Sequence, residues 1–263
     1  MEDDPPAGAG GTASGPGGAV TAGFGGAASG PGRAASAPGG EVPEDSLENI
    51  AAGVLACSSC VLGKTRTRGV PGEGAARPLV MVIGEGPGAD EDVSGRPFVG
   101  PAGQLLDRML AAIGLYRQRN CFIANVVKCR PPGNRDPRPE ESEACAPFLA
   151  RQIRVLKPPL ILAVGRVAAQ TLLKTELPIG RMRGKFTSIE IPGLSPVPLL
   201  PTYHPSALLR DGSLRTPAFE DLKLLLARLV FIDRNFAEET EPLIKKYAAK
   251  DEDFARRIEG LLS

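Results

Sequence analysis

Three short apolar runs, each leading into a helical pattern, constrain the fold of this chain more than any other feature of its sequence. The runs cover residues 79–84, 121–127 and 160–165. Each has the length of a strand that is buried on both faces. Amphipathic helix patterns follow over residues 104–113, 139–156 and 166–174. Strands that alternate with helices predict a single α/β domain of three layers, α/β/α, around a mostly parallel central sheet.

Composition divides the chain into three parts. Residues 1–45 hold 13 of the 32 glycines and only three large apolar side chains, and they carry a net charge of −5. Such a segment cannot bury enough surface to offset the entropy of ordering it, so we expect a disordered acidic arm rich in Gly, Ala and Pro. Residues 46–231 hold the α/β pattern. Residues 232–263 are predicted to form a charged amphipathic helical tail, whose apolar stripe packs on the domain or, alternatively, on a second copy.

Charge and hydropathy exclude some classes of protein. The chain has no apolar run near the roughly 18 residues of a membrane-spanning helix. Its first ten residues, MEDDPPAGAG, lack the basic and apolar regions of a secretory signal. We therefore expect a cytoplasmic protein with no membrane partner. Residues 46–230 carry 24 bases and 16 acids, an excess that permits an anionic partner without requiring one.

Four cysteines have the spacing of metal ligands. Cys57 and Cys60 form a Cys-x-x-Cys pair, and Cys129 and Cys145 follow much later with 15 residues between them. A disulfide framework is disfavoured in a cytoplasmic protein. An iron–sulfur cluster or a zinc ion remains, and the wide second spacing favours the cluster. Cys121 lies inside an apolar run, where it is most simply a buried hydrophobic residue.

The residues after the predicted strands carry the candidate chemistry, because open α/β sheets bind ligands at the carboxyl ends of their strands. Two segments rich in Gly and Pro follow the first strand, at residues 84–92 and 95–104, and the former contains four carboxylates. Carboxylates repel a pyrophosphate, so this loop is better suited to holding a water or a neutral ring than a dinucleotide.

Three further places in the sequence allow both a structural and a functional interpretation. Asn125 lies in an apolar run, where its amide must be satisfied by a neighbouring loop or by the edge of a nucleobase. His204, the only histidine, follows a strand-like segment and precedes Pro205, so it is either structural or catalytic. Leu208 and Leu209 are either core residues or an exposed apolar wedge of the kind that separates base steps.

Together these segments resemble the uracil-DNA glycosylase superfamily, and most closely its thermostable, iron–sulfur-containing branch, family 4. The resemblance extends from about residue 57 to residue 229. It rests on Cys57-x2-Cys60 and on residues 84–92, 95–107, 125–132 and 204–210. It implies an enzyme that flips uracil out of DNA and hydrolyses the N-glycosidic bond, leaving an abasic site. It also implies a structural [4Fe-4S] cluster held by Cys57, Cys60, Cys129 and Cys145.

The resemblance assigns a role to each candidate residue. Phe98 would stack on the flipped uracil, Asn125 would read its O4 and N3–H edge, and His204 would hydrogen-bond O2 and stabilise the departing uracil anion. Leu208 and Arg210 would contact the DNA. Cytosine presents the opposite donor and acceptor to Asn125, so it would leave buried polar groups unpaired and be rejected.

The attacking water is the least determined part of the predicted mechanism. The best-known members of the superfamily have an Asp where this chain has Gly86. Either the backbone of the Gly86 loop or Glu91 would orient the water, unless Glu91 instead excludes the thymine methyl. Glu85 would line the same pocket. We expect a monomeric, nucleoid-associated enzyme that acts on uracil-containing DNA; the alternatives are a non-catalytic DNA-binding module and a glycosylase for another base, such as hypoxanthine.

Overall fold

The structure, a computed structural model, describes Ala22–Gly23 and residues 45–262. The strands are β1 (Ala22–Gly23), β2 (Glu73–Gly74), β3 (Val80–Gly84), β4 (Cys121–Asn125), β5 (Leu160–Val164), β6 (Thr187–Glu190) and β7 (Val197–Thr202). The α-helices are α1 (Leu47–Ala56), α2 (Leu62–Thr65), α3 (Ala89–Ser94), α4 (Pro101–Ala111), α5 (Pro139–Leu156), α6 (Arg166–Leu173), α7 (Ile179–Met182), α8 (Pro205–Arg210), α9 (Arg215–Ile232), α10 (Arg234–Ala248) and α11 (Glu252–Leu262).

One mostly parallel sheet organises the described residues. Its strand order is β1-β6-β7-β5-β3-β4-β2. The four central strands, β7, β5, β3 and β4, run parallel to one another. Only β2 and β6 pair antiparallel, on β4 and β7. Because the central strands are parallel, their carboxyl ends open along the same edge of the sheet, and the loops that follow them meet there.

Helices cover both faces of the sheet. Alternate residues of each strand enter separate cores, so Val80 and Val82 contribute to one core and Met81 and Ile83 to the other. Helices α4 and α9 close the first core, whereas α5 and α6 close the second. The predicted three-layer α/β/α domain is therefore confirmed. The second predicted strand is shorter than expected, because β4 ends at Asn125 and not at residue 127.

The predicted arm lies almost wholly outside the described residues. Of residues 1–45, the structure describes Ala22–Gly23, which pairs parallel with β6, and Asp45. The Asp45 carboxylate accepts hydrogen bonds of 2.6 Å from Nε and Nη2 of Arg151, and Ser46 caps α1 by accepting from the Asn49 N–H. The start of the domain is thereby attached to α5. The disorder of the arm stays a prediction.

The predicted tail forms two helices that pack on the domain. Phe236, Phe254 and Ile258 are buried in the core that α4 and α9 close, and the Tyr247 hydroxyl donates to the Ala112 carbonyl at 2.6 Å. The described part of the stripe thus faces its own domain. Among the described residues, no helix combines the length and the hydropathy that crossing a membrane requires.

Candidate active site

A cavity of about 520 Å³ lies at the carboxyl edge of the sheet. It is formed by the segments that follow β3, β4, β5 and β7. Seven of the eight side chains or loop residues predicted to serve the substrate or the DNA line it: Glu85, Gly86, Glu91, Phe98, Asn125, His204 and Arg210. Residues that are far apart in the sequence therefore meet at one site, as the parallel strands require.

Phe98 forms one wall of the cavity. Its ring faces the His204 ring, with 5.7 Å between the centroids and 33° between the planes. The ring lies so close to the end of β3 that a Cβ on Gly84 would stand 2.4 Å from Phe98 Cζ and 2.5 Å from Asn125 Oδ1. Only glycine fits at the last residue of β3, because any side chain there would displace both cavity residues.

Asn125 forms the floor of the cavity. Its side chain is 1 % exposed, and Oδ1 is the buried side-chain oxygen or nitrogen that lacks a hydrogen-bond partner within the described residues. A buried acceptor without a donor costs about 1–3 kcal/mol. Such an atom in the wall of a cavity is explained by a ligand that brings an N–H group to it.

His204 is held as a neutral donor. Its Nδ1 accepts the Ser206 backbone N–H at 3.1 Å, so the hydrogen-bond network assigns the ring proton to Nε2. Burial, together with the positive charge of Arg210, lowers the pKa of His204 to about 4, although the Glu91 carboxylate acts in the opposite direction. A Cβ on Gly165 would lie 3.0 Å from His204 Cβ, so the end of β5 packs directly on the ring. Sequence reasoning missed this contact of Gly165.

Two carboxylates of the loop after β3 have different surroundings. Burial raises the pKa of Glu85 to about 7, and the nearby Asp136 carboxylate acts in the same direction, against Arg166. Glu91 is bound by backbone: its Oε2 accepts from Gly88 N–H at 3.0 Å, and its Oε1 accepts from the N–H groups of the two residues that follow Phe98. Glu91 therefore supports the loop, whereas Glu85 is a buried carboxyl group that lines the cavity.

The predicted contact of Leu208 with DNA needs a correction. Leu208 is 2 % exposed, because it faces inward from α8, and α8 packs on α4. The next residue, Leu209, is 44 % exposed and precedes Arg210, which is exposed at the cavity. Leu208 is a core residue, and the apolar side chain that faces solvent beside the cavity is Leu209.

The four predicted metal ligands also come together. Cys57, Cys60, Cys129 and Cys145 line one small pocket of about 10 Å³. Burial raises the pKa of Cys129 and brings that of Cys145 to about 11, so these thiols need a cation to ionise. Cys121 lies elsewhere, fully buried in β4. Within residues 45–262, no three His, Cys, Asp or Glu side chains are arranged to hold a single metal ion.

Two cationic residues direct hydrogen-bond donors at the sulfurs of this pocket. Arg66 donates from Nη1 to Cys129 Sγ at 3.0 Å, and the Lys128 backbone N–H donates to Cys145 Sγ at 3.2 Å. The Ser59 backbone N–H also donates to Cys57 Sγ, at 3.5 Å. Four sulfurs around one pocket, with N–H groups aimed at three of them, fit the donor set of an iron–sulfur cluster, whose thiolates accept such bonds. Neither Arg66 nor Lys128 carries a signal in the sequence that predicts these contacts, beyond the place of Lys128 next to Cys129.

A comparison with protein-family sequences matches the part of the chain that forms the sheet and the cavity. A sequence model described as the Uracil DNA glycosylase superfamily matches residues 71–224. This range contains every strand from β2 to β7, and it includes all the residues that line the cavity. The chain belongs to the uracil-DNA glycosylase superfamily.

Its curated relatives narrow the assignment. The chain is 44 % identical to a Type-4 uracil-DNA glycosylase of Archaeoglobus fulgidus over 183 residues, which are 68 % of this chain and 91 % of the relative. A Type-4 enzyme of Pyrobaculum aerophilum is 47 % identical over 64 % of this chain and 87 % of its own length. One of Thermotoga maritima is 42 % identical over 68 % and 93 %. Within the superfamily, these relatives group the chain with the type-4 members.

Proposed function

We propose that the protein is a uracil-DNA glycosylase that extrudes uracil from DNA and hydrolyses its N-glycosidic bond, leaving an abasic site. The observation that carries this proposal is the unpaired, buried Oδ1 of Asn125 in a cavity that also holds Phe98 and His204. A base inside a duplex cannot reach such a cavity, so the target nucleotide must leave the stack first.

Base recognition follows from the carboxamide of Asn125. Its Oδ1 accepts the N3–H of uracil, and its Nδ2 donates to O4. Cytosine has an acceptor at N3 and a donor at N4, so both contacts become unfavourable and buried groups stay unpaired. Phe98 supplies the face on which the base stacks, since its ring is held against Gly84 at one wall of the cavity.

Bond cleavage relies on His204. The C1′–N1 bond breaks with both electrons passing to the base, and negative charge develops on uracil O2. The Nε2–H of neutral His204 donates to that oxygen, an interaction that strengthens as the charge grows. A water oxygen then adds to C1′ of the oxocarbenium-like sugar, and the proton that it loses passes to the ionised Glu85 carboxylate, which returns it to solvent. Glu85, half-ionised near neutral pH, is the carboxylate placed to accept a hydrogen bond from that water, beside Gly86.

The cysteine pocket is assigned to a [4Fe-4S] cluster, which would tie together three segments of the chain. Cys57 and Cys60 follow α1, Cys129 follows β4, and Cys145 lies on α5. The support is the donor set and the N–H groups of Arg66 and Lys128. The cluster would supply cross-linking by metal–thiolate bonds and no step of the glycosidic hydrolysis.

DNA is proposed to bind over the cavity. Arg166 and Arg210 line it and supply positive charge for phosphates, while exposed Leu209 is suited to filling the space that the extruded base leaves. The division of the chain into a disordered acidic arm, a catalytic domain and a helical tail is part of the proposal, as are a monomeric state and action at the nucleoid in the cytoplasm, where this substrate lies.

An oligonucleotide assay tests the proposed function. A labelled strand with one uracil is incubated with the protein, treated with alkali and separated on a gel, and parallel strands carry cytosine, thymine or hypoxanthine at the same position. Cleavage at uracil alone is expected. Binding without cleavage of any strand would establish the non-catalytic DNA-binding module instead, and cleavage mainly at hypoxanthine would change the substrate.

A further inference from the structure

The backbone at Phe98 is strained. Phe98 has φ 52°, in the left-handed region that non-glycine residues rarely occupy, because Cβ there comes too close to the following carbonyl oxygen. A conformation of this kind persists only where its surroundings hold it in place. The residue is 6 % exposed, and a Cβ on Gly103 would lie 1.9 Å from its carbonyl oxygen. Helix α4 therefore packs directly on this segment.

Two side chains bind the peptide groups around Phe98 from opposite ends. After Phe98, the Glu91 Oε1 accepts from the N–H groups of Val99 at 2.8 Å and Gly100 at 3.0 Å. Arg117 binds the carbonyl groups of Phe98 and of the residue before it: Nη1 donates to the Pro97 carbonyl at 2.5 Å, and Nη2 donates to the Phe98 carbonyl at 2.8 Å. The carbonyls turn toward a guanidinium and the N–H groups toward a carboxylate.

Arg117 is itself held in one orientation. Its Nη1 also donates to Glu73 Oε1 at 2.9 Å, and its Nη2 donates to Asp107 Oδ1 at 3.0 Å. Glu73 accepts two further hydrogen bonds from Arg96. Burial opposes its ionisation, yet the hydrogen bonds from Arg96 and Arg117 bring the pKa of Glu73 below its usual value. The guanidinium side chain is 10 % exposed, so its bonds are largely shielded from water.

Lysine could not replace this arrangement. The two terminal nitrogens of Arg117 donate to four acceptors, whereas an ammonium group is a point charge with three donors on a flexible stem. Arg119, two residues further along the chain, pairs instead with Glu239 at the surface, where both side chains are exposed. Arg117 is thus distinguished from its neighbours by the two carbonyls that it binds.

We propose that Arg117 is a positioning residue, which holds the Phe98 ring at the angle that uracil stacking requires. The inference rests on the proposed function, since it assumes that Phe98 contacts the base. Stacking acts on the base both before and during bond cleavage, so a displaced ring weakens uracil binding more than it slows the chemical step.

The test compares Arg117→Lys with Arg119→Lys as the matched control. For Arg117→Lys, we expect KM for a single-uracil oligonucleotide and the inhibition constant of free uracil to rise about tenfold, with kcat within about threefold of the wild-type value, because hydrogen bonds to the Phe98 segment are lost. Arg119→Lys should leave all three unchanged. Equal values for the two variants would overturn the proposal, as would a fall in kcat without a change in free-uracil inhibition.

A double-mutant cycle distinguishes this proposal from the function on which it rests. Arg117→Lys should have no further effect in a Phe98→Ala background, because two changes that act through one ring are not additive. If Phe98→Ala alone leaves uracil inhibition unchanged, the stacking role in the proposed function fails. If Phe98→Ala weakens uracil binding and Arg117→Lys adds its full effect on top, only the role of Arg117 fails.

A second variant covers the case in which Arg117→Lys does not fold. Glu73→Gln leaves Arg117 in place and weakens the carboxylate that orients it, so free-uracil inhibition should weaken about threefold in the same direction, consistent with the loss of one charge-assisted bond. An unchanged inhibition constant in folded Glu73→Gln protein would contradict the inference.

Discussion

The cavity at the carboxyl edge of the sheet and the four-cysteine pocket differ in how complete they are without a ligand. In the cavity, Phe98 and His204 are already held by packing and hydrogen bonds, and Asn125 Oδ1 is a buried acceptor without a donor among the described residues. In the cysteine pocket, buried thiols such as Cys145 have a raised pKa. The cavity can be formed by the polypeptide alone, whereas the thiolate state of the pocket depends on a bound cation.

The two regions are joined by one residue. Lys128 is fully buried, and its Nζ donates to the Asn125 carbonyl at 2.9 Å and to Gln152 Oε1 at 2.6 Å. Its backbone N–H donates to Cys145 Sγ. A disturbance of the cysteine pocket can therefore reach the backbone of Asn125 through the backbone and side chain of Lys128.

The largest expected effect is on the cysteine pocket. Cys129→Ser should abolish the broad absorbance near roughly 400 nm that thiolate-bound iron gives, and much of the protein should lose its fold because three segments lose their link. Absorbance spectra and a thermal melt of the purified variants measure both effects. Cys121→Ser is the control, since this thiol lies in β4 away from the pocket. A colourless wild-type protein that contains stoichiometric zinc would contradict the cluster.

The next effect concerns chemistry in the cavity. His204→Ala should lower the single-turnover rate about 10²–10³-fold, the usual loss when one donor to a developing anion is removed, while DNA affinity stays nearly constant. The melting temperature of the same preparation shows whether it is folded. Undiminished chemistry in folded His204→Ala protein would mean that the cavity is not catalytic.

A smaller effect is expected from Glu85 and depends on pH. Its pKa of about 7 means that the carboxylate is lost as the pH falls below 7, so the wild-type single-turnover rate should fall about tenfold per pH unit there. His204, with a pKa of about 4, stays neutral over the same range. Glu85→Gln should be slower at pH 8 and nearly independent of pH. A Glu85→Gln profile that keeps the wild-type slope would remove Glu85 from the mechanism.

The smallest effect separates the two leucines of α8. Leu209→Ala should weaken capture of the extruded base several-fold without changing the melting temperature, because its side chain is 44 % exposed. Leu208→Ala should instead destabilise the protein by about 2–5 kcal/mol, as expected for a truncated core residue. Fluorescence of a base analogue opposite the uracil, together with melts, distinguishes them. The reverse pattern would restore Leu208 as the DNA contact.

The sequence was sufficient to predict the positions of site residues that lie at the ends of strands. Asn125 and His204 could be placed at one edge because parallel strands bring their carboxyl ends together. The leucine that faces solvent could not be identified, since Leu208 and Leu209 differ only in the rotation of a six-residue helix about its axis. The role of Arg117 could not be predicted for another reason. It binds backbone carbonyl groups, which every residue has, so the contact leaves no pattern in the sequence.

The packing of the last two helices has a consequence for synthesis of the protein. Phe254 and Ile258 complete the core that also contains Val80 and Leu162, so this core stays incomplete while the ribosome still holds residue 258. The opposite face, closed by α5 and α6, needs no residue after β7. During translation the chain therefore passes through a stage with one finished core and one incomplete core, the kind of intermediate that chaperones shield.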